Sequence, residues 1–301
     1  MTNKHQAGFV NIIGRPNVGK STLMNALVGE RMSIITHKPQ TTRHRIIGIL
    51  SGEDFQMVFS DTPGIIEQPS YKMQEAMNRF VFSSLEDADV LLWVIDPKEQ
   101  FEQHGKLIQQ LGRLSIPIFL ILNKMDATDP NFWESRIPQW ESTGIFQKIL
   151  HISALYKSGT DQLLKAILEK LPICPPYYPK DQLTDKPERF FTSEIIREKI
   201  LLFYHQEIPY STEVVVESFK EGNTKSGLPL LSIAATIFVS RKTQKSILIG
   251  KQGEAIKKLG SAARKDLESF FEQKVFLELH VKVRDNWRDD EKMLKNFGYN
   301  N

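Results

Sequence analysis

Residues 14–22 read GRPNVGKST, and the spacing Gly14, any four, Gly19, Lys20, Ser21 decides the reading of the first half of the chain. The stretch follows the apolar run FVNII (9–13). It precedes KSTLMNALVG (20–29), in which Leu23, Met24 and Leu27 recur at helical spacing and Gly29 closes the segment. A glycine-rich turn between a strand and a helix lets backbone amides wrap a phosphate chain, and the helix N-terminus adds positive potential. Lys20 is expected to neutralise β- and γ-phosphate oxygens and Ser21 to offer its hydroxyl to Mg²⁺, with Arg15, Pro16, Asn17, Val18 and Thr22 completing the cradle. The motif alone does not choose between adenine and guanine nucleotides.

Working outward, FQMVFSD (55–61), VLLWVID (90–96) and IFLILNK (118–124) are further apolar runs, each ending on a polar residue. Helical candidates lie between them at 71–85 and 100–114. Strands alternating with helices predict an α/β domain with a mostly parallel sheet covered on both faces, whose ligands sit at the carboxyl ends of the strands. Three short motifs fall at that edge. In DTPG (61–64) Asp61 is expected to reach Mg²⁺ through water and the Gly64 amide to touch the γ-phosphate, with Thr62 and Pro63 between them. In NKMD (123–126) the two carboxylate oxygens of Asp126 match the paired N1–H and amine donors of guanine, which adenine lacks. Asn123 would steady the base, the Lys124 stem would cover its plane, and Met125 joins them to Asp126. SAL (Ser153, Ala154, Leu155) would meet guanine O6 through backbone.

The 301 residues suggest about two domains. A 41% hydrophobic and 25% charged composition is that of a globular protein with sizeable cores. One cysteine, Cys174, excludes an internal disulfide and fits a reducing compartment. The N-terminal stretch MTNKHQAGFVNIIG lacks the apolar core and cleavage site of a secretory leader, and the longest apolar runs are too short for a bilayer. Seven scattered histidines show no metal-ligand spacing.

Five prolines (Pro172, Pro175, Pro176, Pro179, Pro187) crowd LPICPPYYPKDQLTDKP. Proline lacks an amide hydrogen and fixes its backbone, so the expectation is a first domain over 1–174, a stiff linker over 175–187 and a second domain over 188–301. In the second domain the elements are expected in the order helix, strand, strand, helix, helix, strand. Ile195, Ile196, Lys199, Leu202 and Phe203 are expected to share one side of the first helix. Between Arg241 and Lys265 eight basic residues face the single acid Glu254, a local positive field in a chain whose net charge is only +3. That stretch contains ILIGKQG. A Gly-x-x-Gly turn between two helices allows close approach to a nucleic-acid backbone, so Ile249, Gly250, Lys251, Gln252 and Gly253, with Lys257, Lys258 and Arg264, are the candidate RNA-binding residues.

The four phosphate and base motifs, in this order, resemble the translation-factor-like GTPases. That resemblance marks PQTTR (39–43) as the first switch, with Thr42 as the threonine sensing Mg²⁺ and γ-phosphate because it directly precedes Arg43, and Thr41 as the alternative. Lys20, Thr42 and Gly64 are then the groups acting on the γ-phosphate, and Ser21, Thr42 and Asp61 the metal set. Where Ras-like proteins carry a water-orienting glutamine this chain has Ile65, which implies slow intrinsic hydrolysis. Asn17 resembles the asparagine that coordinates K⁺ in some related GTPases.

GRPNVGKSTLMNAL, KPQTTRHRIIGI, DTPGI, NKMD, ILIGKQG with AIKKLGSAAR, and the tail VKVRDNWRDDEKMLKNFGY together resemble the Era family of bacterial GTPases over nearly the whole chain. The resemblance implies a phosphate-loop GTPase domain followed by an α+β type II KH domain and a closing helix. It also implies GTP or GDP with Mg²⁺ as ligands, and maturation of the small (30S) ribosomal subunit by binding near the 3′ end of its 16S RNA rather than DNA. A monomer in the cytoplasm is implied, with peripheral contact at the inner face of the cell membrane. Gln252 departs from the glycine or arginine common at its position, which points outward. Two other readings share the motifs: a timer whose KH-like domain docks protein, and a tRNA-modifying GTPase, although those carry extra helical domains and reactive cysteines that this chain lacks.

Overall fold

A computed structural model describes residues 5–129 and 131–299; Met1–Lys4, which open the N-terminal stretch read above, lie outside the described residues. The first half is a six-stranded sheet in the order β2-β3-β1-β4-β5-β6. Its strands are β1 (Gln6–Ile13), β2 (Ile46–Ser51), β3 (Phe55–Asp61), β4 (Val90–Ile95), β5 (Ile118–Leu122) and β6 (Lys148–His151). All neighbours are parallel except β2, which runs antiparallel to β3 at the edge. Helices α1 (Lys20–Val28), α2 (Lys72–Ser84), α3 (Gly105–Leu111), α4 (Asn131–Glu134), α5 (Ile137–Glu141) and α6 (Thr160–Leu168) cover the faces. Every residue of β4 and β5 is buried, which is why these strands read as unbroken apolar runs rather than alternating ones.

Strand order places the site. The chain leaves β1 toward β3 on one side, then crosses through α2 to β4 on the other. The loop after β1 therefore opens where two neighbouring connections diverge, the crevice in which doubly wound sheets bind ligands.

The second half begins with α7 (Glu188–Phe203), β7 (Thr212–Asn223) and β8 (Pro229–Val239), and continues with α8 (Lys242–Ile249), α9 (Glu254–Phe271) and β9 (Lys274–Val283). β7 pairs antiparallel with β8, and β8 pairs parallel with β9, because the two helices carry the chain across between them. Ile196, Ile200, Tyr204, Ala235, Ile237, Leu248, Leu259 and Ala263 form its core. The apolar face of α7 differs from the sequence expectation. Leu202 and Phe203 are 39% and 37% exposed, while Phe191, Ile195, Ile196, Ile200 and Leu201 are buried.

Two connecting pieces join the halves. The proline-rich stretch runs along the sheet edge: Ile49 donates to the Leu183 carbonyl (2.8 Å), Thr184 to Ile47 (2.6 Å), and the Tyr177 and Tyr178 amides to Gln56 Oε1 (2.8 and 3.0 Å). It occupies the open side of β2 and so blunts an edge strand. After β9 the chain returns through Trp287 and α10 (Glu291–Asn296), and Trp287, Leu294 and Tyr299 pack on Met73, Met77 and Phe80 of α2. No helix among the described residues is long and apolar enough to cross a membrane.

Candidate nucleotide site and nucleic-acid interface

The loop after β1 requires its glycines. Gly14 has φ 149°, and a Cβ there would lie 2.3 Å from the Val94 carbonyl oxygen; Gly19 has φ 101°, and its Cβ would lie 2.3 Å from Asn123 Nδ2. The loop so formed wraps Lys20, which is 6% exposed and donates to the carbonyls of Gly14 (3.1 Å) and Arg15 (2.9 Å). Burial lowers the Lys20 pKa to about 8, against the opposing pull of Asp61 and Glu99. An ammonium so desolvated gains much from an anion beside it. Arg15 turns its side chain outward to Gln103 (2.8 Å) and Glu67 (3.3 Å), away from the residues that line the cleft. Val18 is in the core, whereas Pro16, Asn17 and Thr22 line the cleft.

Three side chains converge beside Lys20. Ser21 Oγ lies 2.6 Å from Asp61 Oδ2 and 2.8 Å from Thr42 Oγ1, and the Thr42 hydroxyl is 3.3 Å from the same carboxylate oxygen. Thr41 is turned elsewhere, to Thr36 and the Lys38 carbonyl (2.7 Å each). Asp61 is fully buried, and its Oδ1 has no hydrogen-bond partner. Burial raises its pKa, opposed by Lys20 and by the hydroxyls of Ser21, Ser33 and Thr42. An orphaned buried carboxylate oxygen beside two hydroxyls fits Mg²⁺, which takes hard oxygens from one or two carboxylates and completes its shell with water and substrate phosphate. Among the described residues no group of three His, Cys, Asp or Glu gathers to hold a metal. Thr62 donates to the Ile12 carbonyl (2.8 Å) and, with buried Pro63, shapes the turn; Gly64 sits against Pro16, where a Cβ would lie 2.6 Å from the proline ring. Ile65 is half-buried and packs against the core.

The base-side motifs are joined by Asn123. Its buried amide donates to the Val18 carbonyl (2.8 Å) and accepts from the Ala154 amide (3.0 Å), tying three loops together. Lys124, in left-handed backbone at φ 63°, lies across the phosphate loop, donating to the Asn17 carbonyl (2.6 Å) and Asp96 (2.8 Å). Met125 bonds through its amide to Ile152 (3.2 Å). Asp126 is exposed, and the buried Ser153 hydroxyl donates to its Oδ1, which orients the carboxylate. Leu155 is 66% exposed beside it. Asp96 is a site residue that the motifs did not name; its signal is its place as the polar residue ending the run VLLWVI.

The Gly-x-x-Gly turn joins α8 to α9. Gly250 has φ 73°, with a Cβ 2.6 Å from that of Ala255; Gly253 has φ 81° and open space before it. Lys251 and Gln252 are exposed at the tip, and Ile249 is half-buried beneath it. Lys257 and Arg264 rim a groove between α9 and β9 whose floor is Ile256, Gly260, Leu277 and Leu279. Lys258 is not part of this groove: its ammonium lies 5.3 Å from the Phe203 ring on the α7 side. An apolar floor with cationic rims suits unstacked bases and their phosphates. Gly260, Leu277 and Leu279 line the groove without belonging to any motif, although a glycine inside a helix and leucines at period two are visible in the sequence.

Comparison with known proteins agrees with this two-part geometry. A family model described as a 50S ribosome-binding GTPase matches residues 9–124, and one described as a KH domain matches 207–288. The chain is 43% identical to GTPase Era of Alkaliphilus metalliredigens across 98% of its own length and 99% of that protein. It belongs to the Era family of GTPases. A further family member, the chloroplastic GTPase ERA-like of rice, is also 43% identical over 98% of this chain and 70% of its own. A crystal structure of Era in complex with MgGDPNP and nucleotides 1506–1542 of 16S ribosomal RNA superposes with a TM-score of 0.92 at 36% identity, covering 98% of this chain and 99% of that one. A point variant of Aquifex aeolicus Era bound to GDP.AlF4⁻ gives 0.91 at 36% identity, with the same coverage. The chain is therefore a GTP-hydrolysing enzyme with a phosphate-loop domain and a C-terminal KH domain.

Proposed function

We propose that this family member binds the 3′-end region of small-subunit ribosomal RNA, that its nucleotide state sets its affinity for that RNA, and that it thereby serves maturation of the 30S subunit. The observation carrying this reading is the rimmed groove between α9 and β9, below a Gly-x-x-Gly turn, in a chain similar throughout to an Era bound to such RNA. Gly14–Thr22 hold the phosphates, with Lys20 neutralising their charge. Asn123, Lys124 and Asp126 take guanine, helped by the Ser153–Leu155 backbone. Ser21, Thr42 and Asp61 would hold Mg²⁺, which would supply charge stabilisation on the transferring phosphoryl group. The Gly64 amide faces the γ-phosphate. Ile65 is half-buried against the core and carries no polar atom, so no side chain at that position orients water and unaided turnover is slow.

Asn17 would help hold K⁺, which would add charge stabilisation in the transition state; equal turnover in K⁺ and Na⁺ buffers would remove this part of the reading. The protein acts as a cytoplasmic monomer, with peripheral membrane contact to be checked by fractionation. The deciding experiment is binding of a labelled oligonucleotide from the 16S RNA 3′ end, beside a scrambled one, with a non-hydrolysable GTP analogue and with GDP. Tighter, sequence-dependent binding with the analogue is expected. Weak binding that is equal in all arms would overturn the RNA reading and point to a protein partner for the KH surface.

A further inference from the structure

The segment carrying Thr42 is fastened to the RNA-binding half along its length. Arg31 Nη2 donates to both oxygens of Glu198 on α7 (2.6 Å each). Lys38 Nζ donates to the Tyr204 carbonyl (2.5 Å). Arg197 donates to the carbonyls of Gln40 (3.2 Å) and Thr41. Arg43 donates to the carbonyls of Pro209 (2.8 Å) and Thr212 (2.6 Å) and to Glu213 (3.1 Å). The first domain holds the start of the segment through Asn25, which donates to the Ser33 carbonyl (2.8 Å) and accepts from the Met32 and Ser33 amides (3.0 Å each). Its contacts nearer Thr41 are fewer, from Asn17 to the His37 carbonyl (3.0 Å) and from Tyr71 to Gln40 (3.2 Å).

Arg197 and Arg43 differ from the rest because they are almost wholly buried, 1% and 0% exposed. A buried guanidinium persists only when paired, and each is: Arg197 with Glu194 (2.6 and 2.8 Å), Arg43 with Glu213. Its planar fork fixes direction as well as charge. Thr42 lies between a carbonyl gripped by Arg197 and a side chain locked into β7, so its backbone has little room to turn. The hydroxyl that reaches Ser21 and Asp61 is thus aimed by residues of the other domain.

We propose that Arg197 is a positioning residue for GTP hydrolysis: from the RNA-binding half it holds the Thr41 carbonyl and so presents Thr42 to the metal and γ-phosphate. The proposal rests on the reading of Thr42 as the metal-sensing threonine. α9, whose Arg264 rims the groove, also carries Asp266, which pairs with Lys199 of α7 and approaches Arg31 (3.8 Å). The helix gripping Thr41 is therefore braced by the helix that would meet RNA.

The test uses the full chain. Arg197→Ala would strand Glu194 as a buried unpaired charge, so the informative variant is Arg197→Met with Glu194→Gln, which removes both charges at similar volume. Arg197→Lys keeps the ion pair but loses the fork. Thr42→Ala reports on the underlying reading, and Lys72→Ala breaks an exposed contact between the halves, with Glu291 (2.7 Å), outside the segment that carries Thr42. For the double variant kcat is expected to fall by between about tenfold and a hundredfold, as for a misplaced reacting group. Half-saturating Mg²⁺ for the GTP analogue should rise, while GDP affinity and cooperative thermal unfolding persist. Arg197→Lys should fall between, and Lys72→Ala should match the native protein. A folded double variant with native kcat and Mg²⁺ requirement overturns the proposal if Thr42→Ala is impaired. If Thr42→Ala is also native, the reading of Thr42 fails with it. Equal loss of GDP and analogue binding would mark general damage and likewise overturn it.

Discussion

In the proposed function Asp126 carries the base choice through two carboxylate oxygens, one of them held by Ser153. Replacing it by asparagine turns one acceptor into a donor that opposes the guanine amine or N1–H. Asp126→Asn is expected to weaken GTP binding by about a hundredfold or more and to favour a xanthine nucleotide, whose edge presents an acceptor there. Competition between GTP and XTP for the folded variant checks this; unchanged preference for GTP would remove Asp126 from the base site. Titration at a single residue is also open to measurement. Burial pushes the Glu194 carboxyl up, but the charge and hydrogen bond of Arg197, with His44 and Arg43, outweigh it and hold the pKa below the ordinary value of 4.5. A carboxylate with a depressed folded-state pKa stabilises fully above its unfolded value and loses that contribution as pH falls through the folded one. The melting-temperature difference between the native chain and the Arg197→Met, Glu194→Gln variant should therefore shift against the native chain as pH drops below about 4.5.

At the scale of elements, the groove between α9 and β9 separates stability from binding. A Cβ at Gly260 would lie 3.4 Å from Leu279, in ordinary contact with the groove floor, and Gly260 has no positive φ. Leucine there would improve helix propensity by up to about 1 kcal/mol while its side chain fills the space for a base. Gly260→Leu should melt no lower than the native chain, yet lose RNA affinity about tenfold or more by fluorescence anisotropy, at one lost stacking site worth about 1–3 kcal/mol. Native RNA affinity would exclude this groove. Much of this scale was legible in the sequence, because period and punctuation are local. The runs ending at Asp61, Ile95 and Leu122, the helix opening at Lys20 and the order of elements after Glu188 all follow from residues near in sequence. The antiparallel edge strand β2 and the path of the proline-rich stretch were not legible, since pairing between Ile47, Ile49 and residues 183–184 joins positions far apart. The face of α7 departs from its sequence pattern at Leu202 and Phe203 because helical spacing does not show where neighbouring elements end their cover.

At the scale of the molecule, the proposed nucleotide and RNA sites are joined through contacts that neither motif announces. The site's hydroxyl and carboxylate set could be named from GRPNVGKST, PQTTR and DTPG, but Arg43 reads as an ordinary switch residue until β7 and Pro209 are seen around it. The closing segment adds a second tie. Tyr299 donates to Glu213 (2.8 Å), the partner of Arg43, and Trp287 donates to the Ser211 carbonyl (3.0 Å), while both pack on α2 just beyond DTPG. Both segments expected to sense the γ-phosphate therefore end in contacts with the KH half, so a change in one must be accommodated by the other. Coupling of this kind is reciprocal in binding free energy. If the GTP analogue raises affinity for the 3′-end oligonucleotide over GDP by some factor, the oligonucleotide must raise the preference for analogue over GDP by that same factor, typically about 5- to 150-fold. Raising salt should weaken RNA binding steeply through Lys251, Lys257 and Arg264, since each neutralised phosphate of a single strand steepens the log–log slope by about 0.7. The nucleotide factor, measured at each salt concentration, should change far less than the affinity itself, because the ties at Arg43 and Arg197 are buried and poorly screened. Calorimetric titrations of both nucleotides with and without RNA, at two salt concentrations, close this cycle. A factor that fell in step with RNA affinity would place the coupling in exposed charges instead of in the buried arginines.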